Sequence, residues 1–104
     1  MTDDALLAAL ADARRRKDQA ARDMRLLLAY AREIITPRPY RLADLAQATG
    51  MSISGIRMAY TPSDIQQARQ LIYDNLGAGY QRHTQAAVTA LVTAQPPAAA
   101  ITVS

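Results

Sequence analysis

The fold is decided by Arg41-Leu-Ala-Asp-Leu-Ala-Gln-Ala-Thr-Gly50-Met-Ser-Ile-Ser-Gly-Ile-Arg-Met-Ala-Tyr60. Leu42 to Thr49 is a run of good helix formers. Gly50 breaks it where the chain wants a positive φ. Ser52 is a strong N-cap for a following helix, which the sequence carries to about Tyr60. Ala46 is small where two such helices would cross. Leu42, Leu45, Met51, Ile56 and Ala59 fall on inward positions and are expected to form a small core with the flanking helices.

Working outward, Thr36-Pro37-Arg38-Pro39 stops a long helix running from about Asp3 to Ile35, since residues before proline avoid the helical region. Asp3 and Asp4 suit its positive N-terminal end. On the other side, Thr61-Pro62-Ser63 is a turn, with Pro62 or Ser63 near the cap of a helix that reaches about Leu76. Gly77-Ala78-Gly79 interrupts the chain, and a last helix is expected from about Tyr80 to Thr93. Nothing between Met58 and Leu76 alternates with a period of two, so no β-wing is expected. The prediction is an all-α fold: one helical domain over 1–94 (long helix 1–35, helical pair 42–60, C-terminal helices 63–94), then a mobile, low-complexity tail over 95–104.

The long helix carries a second pattern. Leu6, Leu10, Ala13, Lys17, Ala20, Met24, Leu27, Ala31 and Ile34 recur in steps of four and three, a heptad seam. From Met24 onward Leu28 and Ile35 widen the stripe, as packing on a globular core requires. Before it the stripe is narrow and Arg14-Arg15-Arg16-Lys17 surrounds it. A helix this long outruns a small core. Its first half, Leu6, Leu10, Ala13, Lys17, Ala20 and Met24, is therefore expected to be a homodimer seam, the alternative being a helix folded on its own domain.

Composition removes several function classes. The chain has no Cys, which excludes disulfide scaffolds, Cys-based zinc sites and thiol nucleophiles. His83 is the single His and Glu33 the single Glu, a thin supply for acid–base catalysis. His83 lies in a polar segment and reads as solvated. Asp64 and Asp74 have no third carboxylate near them in sequence, so no metal or cofactor is expected. Gly77-Ala78-Gly79 lacks the preceding strand and the Lys of a phosphate loop. No apolar run reaches the roughly 18 residues of a membrane span, and Asp3 and Asp4 have the wrong charge for a signal peptide. The expectation is a soluble cytoplasmic protein.

The formal charge is +3, carried by 11 Arg against 1 Lys, beside 22 Ala. That bias suggests a GC-rich coding genome, such as an actinobacterium or its phage or plasmid. Arg is also the better phosphate-binding cation, because its planar fork offers paired donors. Phe and Trp are absent, which argues against a stacking platform for single strands. Tyr60, Tyr73 and Tyr80 are expected in the core with their hydroxyls at the rim.

Arg41 to Tyr60 resembles the helix-turn-helix of bacterial and phage transcription regulators, including the lac repressor family. The resemblance implies double-stranded DNA as partner, read in the major groove by the N-terminal residues of the second helix. Carried over by position, Ser52 would contact a phosphate, and Ile53, Ser54, Arg57 and Met58 would read bases or the adjacent backbone. Arg38 and Arg41 flank the motif as candidate phosphate contacts. Arg41 departs from the pattern, standing where Ser or Thr usually caps the first helix. Gly55 is also unusual, costing about 1 kcal/mol against Ala inside a helix. The implied function is a homodimeric transcriptional regulator of repressor type, not an enzyme, with no small-molecule ligand evident. The alternatives are a plasmid or phage segregation or transfer factor, and a protein–protein adaptor that keeps the motif as a scaffold.

Overall fold

Asp4 starts the first helix. Its Oδ1 accepts from the backbone N–H groups of Leu6 and Leu7 at 3.0 and 3.1 Å, satisfying two donors that a helix end leaves unpaired. The computed structural model describes residues 4–77 and 84–93. Helix α1 runs Ala5–Ala29 and continues without a break into a π turn, Tyr30–Ile34. In that turn the N–H of Ile35 reaches back five residues to the Tyr30 carbonyl at 3.1 Å. Ile35 is extended, and the helix ends there.

Four shorter helices follow: α2 Leu42–Thr49, α3 Ile53–Met58, α4 Pro62–Leu76 and α5 Thr84–Thr93. There is no strand among the described residues, so the connection between α3 and α4 is a turn rather than a wing. None of the described helices is long and apolar enough to cross a membrane.

The core lies where the second half of α1 meets α4 and α5. Leu26, Tyr30 and Ile34 recur at steps of four on one side of the long helix. They pack with Ala68 and Ile72 of α4 and with Ala87 and Leu91 of α5. Each Leu or Ile of this cluster contributes about 1.5–3 kcal/mol when fully buried. Thr61 caps α4, not Pro62 or Ser63, and Pro62 takes the first helical position. Thr61 Oγ1 accepts from the Asp64 N–H at 3.3 Å, and Asp64 Oδ2 accepts from the Thr61 N–H at 2.9 Å. Asp64 also faces Arg25 of α1 at 3.6 Å, which ties the start of α4 to the long helix.

Several expectations need correction. Ala31 and Ile34 are buried, as the widening of the stripe after Met24 implies, but the heptad is not the full packed face. Leu26 and Tyr30, off the heptad seam, are 0% and 2% exposed. Tyr73 is not a core residue but is 62% exposed, since it sits one position past Ile72 and points off the packed face of α4. Met1 to Asp3, Tyr80, His83 and the tail over 95–104 lie outside the described residues.

Every residue from Asp4 to Ala21 is exposed, so α1 projects beyond the core as an arm. The Cα radius of gyration is 16.1 Å, against about 13 Å for a rounded chain of this length. Where the arm meets the rest, an apolar groove of about 440 Å³ opens. Ala20, Met24 and Leu27 of α1 form one wall, Leu45 and Ala48 of α2 the other, and Val92 of α5 also lines it.

Candidate nucleic-acid interface

The lead-in to α2 is fastened to the end of the long helix. Arg32 Nη1 donates to the Tyr40 carbonyl at 2.7 Å, and the Tyr40 N–H donates to the Ala31 carbonyl at 3.1 Å. Arg41 then occupies the N-cap of α2 with no side-chain cap bond. Its guanidinium instead turns to Asp44, in the first turn of α2, with Nε and Nη2 at 3.2 and 3.3 Å from the two carboxylate oxygens. That pairing holds the Arg41 pKa above its ordinary value, through the hydrogen bond first and the carboxylate's charge second. The pair is exposed and screened by solvent.

The turn between α2 and α3 comprises Gly50, Met51 and Ser52. Gly50 is left-handed, φ 75°, and its N–H returns to the Ala46 carbonyl at 2.9 Å. Thr49 closes the turn. Its hydroxyl donates to the Leu45 carbonyl at 2.7 Å and accepts from the Met51 N–H at 3.2 Å. Sequence reasoning passed over Thr49, although a Thr directly before a turn Gly is placed for this role.

Ser52 caps α3 by accepting from the Gly55 N–H at 3.0 Å. Gly55 is explained by the same contact: a Cβ there would stand 3.0 Å from Ser52 Oγ and 3.6 Å from Met51 Cε. The glycine keeps room for the cap within the chain. Helix α3 is shorter than expected and ends at Met58, with Ala59 as C-cap. Pro62 holds Thr61 extended, at φ −119° and ψ 168°, so the chain must leave the helix before it.

The expected local core is also smaller. Only Ile56 is fully buried; Leu42, Leu45, Met51 and Ala59 are half-buried, and α2 has no buried residue. The reason is the groove, which leaves one flank of α2 without a packed neighbour.

With Ile56 as anchor, α3 turns four side chains outward. Ile53 and Arg57 share one face by their spacing, and Ser54 and Met58 the next. Ile53 is 44% and Met58 84% exposed, and Ser54 and Arg57 are exposed too. Ser54 Oγ lies 3.3 Å from Ser52 Oγ. Arg57 and Arg38 have no ion-pair partner among the described residues, and both side chains lie open to solvent. Arg41 differs from them in being held by Asp44.

The exit from α3 is fixed by Tyr60, whose hydroxyl donates to Glu33 Oε2 at 2.6 Å. Burial, and then the bond to Glu33, push the Tyr60 pKa up to about 12. This link connects the helical pair to the long helix, a role for Glu33 that no local pattern signals.

On the arm, Leu6, Leu10, Ala13, Lys17 and Ala20 are all exposed, and Met24 is 40% exposed. Arg14 pairs with Asp18 at 3.8 Å, and Arg15 and Arg16 with Asp12 at 3.4 and 3.0 Å. The Arg16 hydrogen bond chiefly lowers the Asp12 pKa. Among the described residues no group of three acidic, His or Cys side chains gathers to hold a metal ion. No family model, curated protein or solved structure matches this chain.

Proposed function

We propose that this chain binds double-stranded DNA through α2, the Gly50–Ser52 turn and α3, acting as a homodimeric transcriptional regulator of repressor type. The observation that carries the reading is the division of labour on α3. Ile56 anchors the helix, while Ile53, Ser54, Arg57 and Met58 stand exposed immediately after a capped N-terminus. This is the surface that a major-groove reader presents. Arg57 offers paired donors to a guanine edge or a phosphate, and Ile53 offers an apolar contact to a thymine methyl. Arg38 is free to add a phosphate contact that carries no sequence information. Homodimerisation doubles the contacts, and the arm's exposed seam is the surface for it.

The exposure of Met58 and Ile53 also favours a second reading, an adaptor in which the same face meets a protein. One experiment separates them. The full chain is titrated onto mixed-sequence duplex DNA at low salt, and the bound fragments are sequenced. A DNA reader binds with an affinity that falls steeply as salt rises, at ~0.9 log units of affinity per log unit of salt for each phosphate contact. Absence of duplex binding at low salt rejects the reading and leaves the adaptor.

A further inference from the structure

The exposed seam of the arm does not stop at the edge of the core. Its last members, Ala20, Met24 and Leu27, are one wall of the apolar groove. We propose that a second copy of this chain docks antiparallel along the arm, with the first turn of each arm seated in the other's groove. The proposal rests on the arm being a dimer seam, and not on DNA binding.

Direction follows from the seam's own spacing. When two heptad helices run antiparallel, an a position lies across from a d position. Centred on Arg15, every seam residue then meets one equally far on the other side. Leu6 meets Met24 of the second copy, Leu10 meets Ala20, and Ala13 meets Lys17. Large side chains oppose small ones at Leu10–Ala20, and the long Lys17 stem lies over Ala13 with its ammonium free to reach water. Because the pairing maps onto itself, the interface is the same patch on both copies, as a two-fold dimer requires. A parallel pair would instead set Lys17 against Lys17 in the seam.

Area explains why the groove has to take part. The seam from Asp4 to Met24 is about 30 Å long and about 10 Å wide, so two arms alone cover roughly 600 Å² in total. A specific interface needs about 1,000 Å² or more. The register brings Leu6 of the second copy to Met24, at the groove, where Leu45 and Ala48 of α2 add an apolar wall. Leu6 and Leu7 are 66% and 59% exposed in the single chain and have the bulk to fill it. Arg14 and Arg16 come near their own counterparts at the centre; Asp18 and Asp12, already paired with them within each chain, limit the repulsion.

The chain has no native cysteine, so single-cysteine variants of the full chain report the geometry cleanly. Leu10→Cys and Ala20→Cys are mixed and oxidised without DNA. The expected product is the mixed disulfide, at least tenfold over either homodisulfide. Leu6→Cys mixed with Ala48→Cys is expected to cross-link as well. Ala48→Glu should weaken the dimer at least tenfold by light scattering, while Gln47→Glu, outside the groove, changes it less than twofold. Homodisulfides of Ala20→Cys as the main product overturn the antiparallel register but leave the dimer reading standing. A Leu10–Ala20 cross-link with neither the Leu6–Ala48 cross-link nor an Ala48→Glu effect overturns the groove as the seat of the arm. A clean monomer at high micromolar concentration overturns both the dimer reading and this proposal.

Discussion

Tyr60, just past the end of α3, donates its hydroxyl to Glu33, in the π turn of the long helix, at 2.6 Å. The bond spans 27 positions in sequence and fixes the angle at which the helical pair leaves the core. Tyr60→Phe should destabilise the fold by about 1 kcal/mol. The folded phenol sits at about 12 and the free one at 10.0. The bond's contribution is therefore fully present below pH 10.0 and is lost as pH rises towards about 12. Urea unfolding of wild type and Tyr60→Phe, followed up through that window, should show the difference between them shrink. A constant difference would mean that ionisation of Tyr60 is not what the alkaline limb reports.

Ser52 and Gly55 should behave as a coupled pair. Ser52→Ala removes the cap and should cost about 1 kcal/mol. Gly55→Ala adds helix propensity, also about 1 kcal/mol, but its Cβ presses on the cap hydroxyl. In the wild-type chain the two effects should nearly cancel. In the Ser52→Ala chain the hydroxyl is gone, and Gly55→Ala should then stabilise by close to its full propensity. A double-mutant cycle read by thermal unfolding measures this, and additivity would sink the account of Gly55.

Arg41 is held by Asp44, so on the proposed reading it is withheld in part from DNA. Asp44→Asn should release it, strengthen duplex binding and steepen the salt dependence by up to ~0.9 for each added phosphate contact. Arg41→Ala in that background should return the slope to its starting value. The sequence preference should not change in either variant, since phosphate contacts carry none. Salt titrations of the variants on one bound fragment decide it.

Ile53 cannot hydrogen-bond to a base but can pack on the thymine methyl. Ile53→Ala should lose roughly 1 kcal/mol of specific affinity, about one buried methylene or slightly more. Non-specific binding should hardly move. Replacing thymines one at a time by uracil in a bound site supplies the control. One replacement should weaken wild type and leave Ile53→Ala indifferent. If none does, base reading falls to Ser54, Arg57 and Met58.

The sequence marked the helical pair closely because its signals are local. Gly50 and Ser52 each act on their own backbone, and α2 begins at Leu42 and ends at Thr49 as read. What it hid depends on neighbours distant in sequence. The heptad pattern passes over Leu26 and Tyr30, because the side of the helix that α4 and α5 cover is set by their packing and not by the seam. Aromatic character alone points Tyr73 to the core, but Ala68 and Ile72 set the packed face of α4 and Tyr73 lies about 100° away from Ile72. The Tyr60–Glu33 pair is hidden for the same reason, whereas Arg41 and Asp44 stand three residues apart and only the choice of partner is hidden. A list of charges does not show which ones are occupied.

The long helix has two stretches with separate tolerances, an exposed arm and a buried end that closes in the π turn at Tyr30–Ile34. On the arm, substitutions should be felt with the heptad's rhythm; from Leu26 onward they should be felt most at Leu26, Tyr30 and Ile34, which recur at steps of four. Whole heptads added to or removed from the arm would change its reach by about 10 Å each without rotating the core side chains. Loss of a single residue from the π turn would turn Ile34 and the lead-in to α2 by about 100° relative to Leu26 and the arm, and carry Leu45 and Ala48 out of line with the seam's wall of the groove. The arm's length is thus free to drift in descendants of this chain, while the bearing at which it meets the body is not.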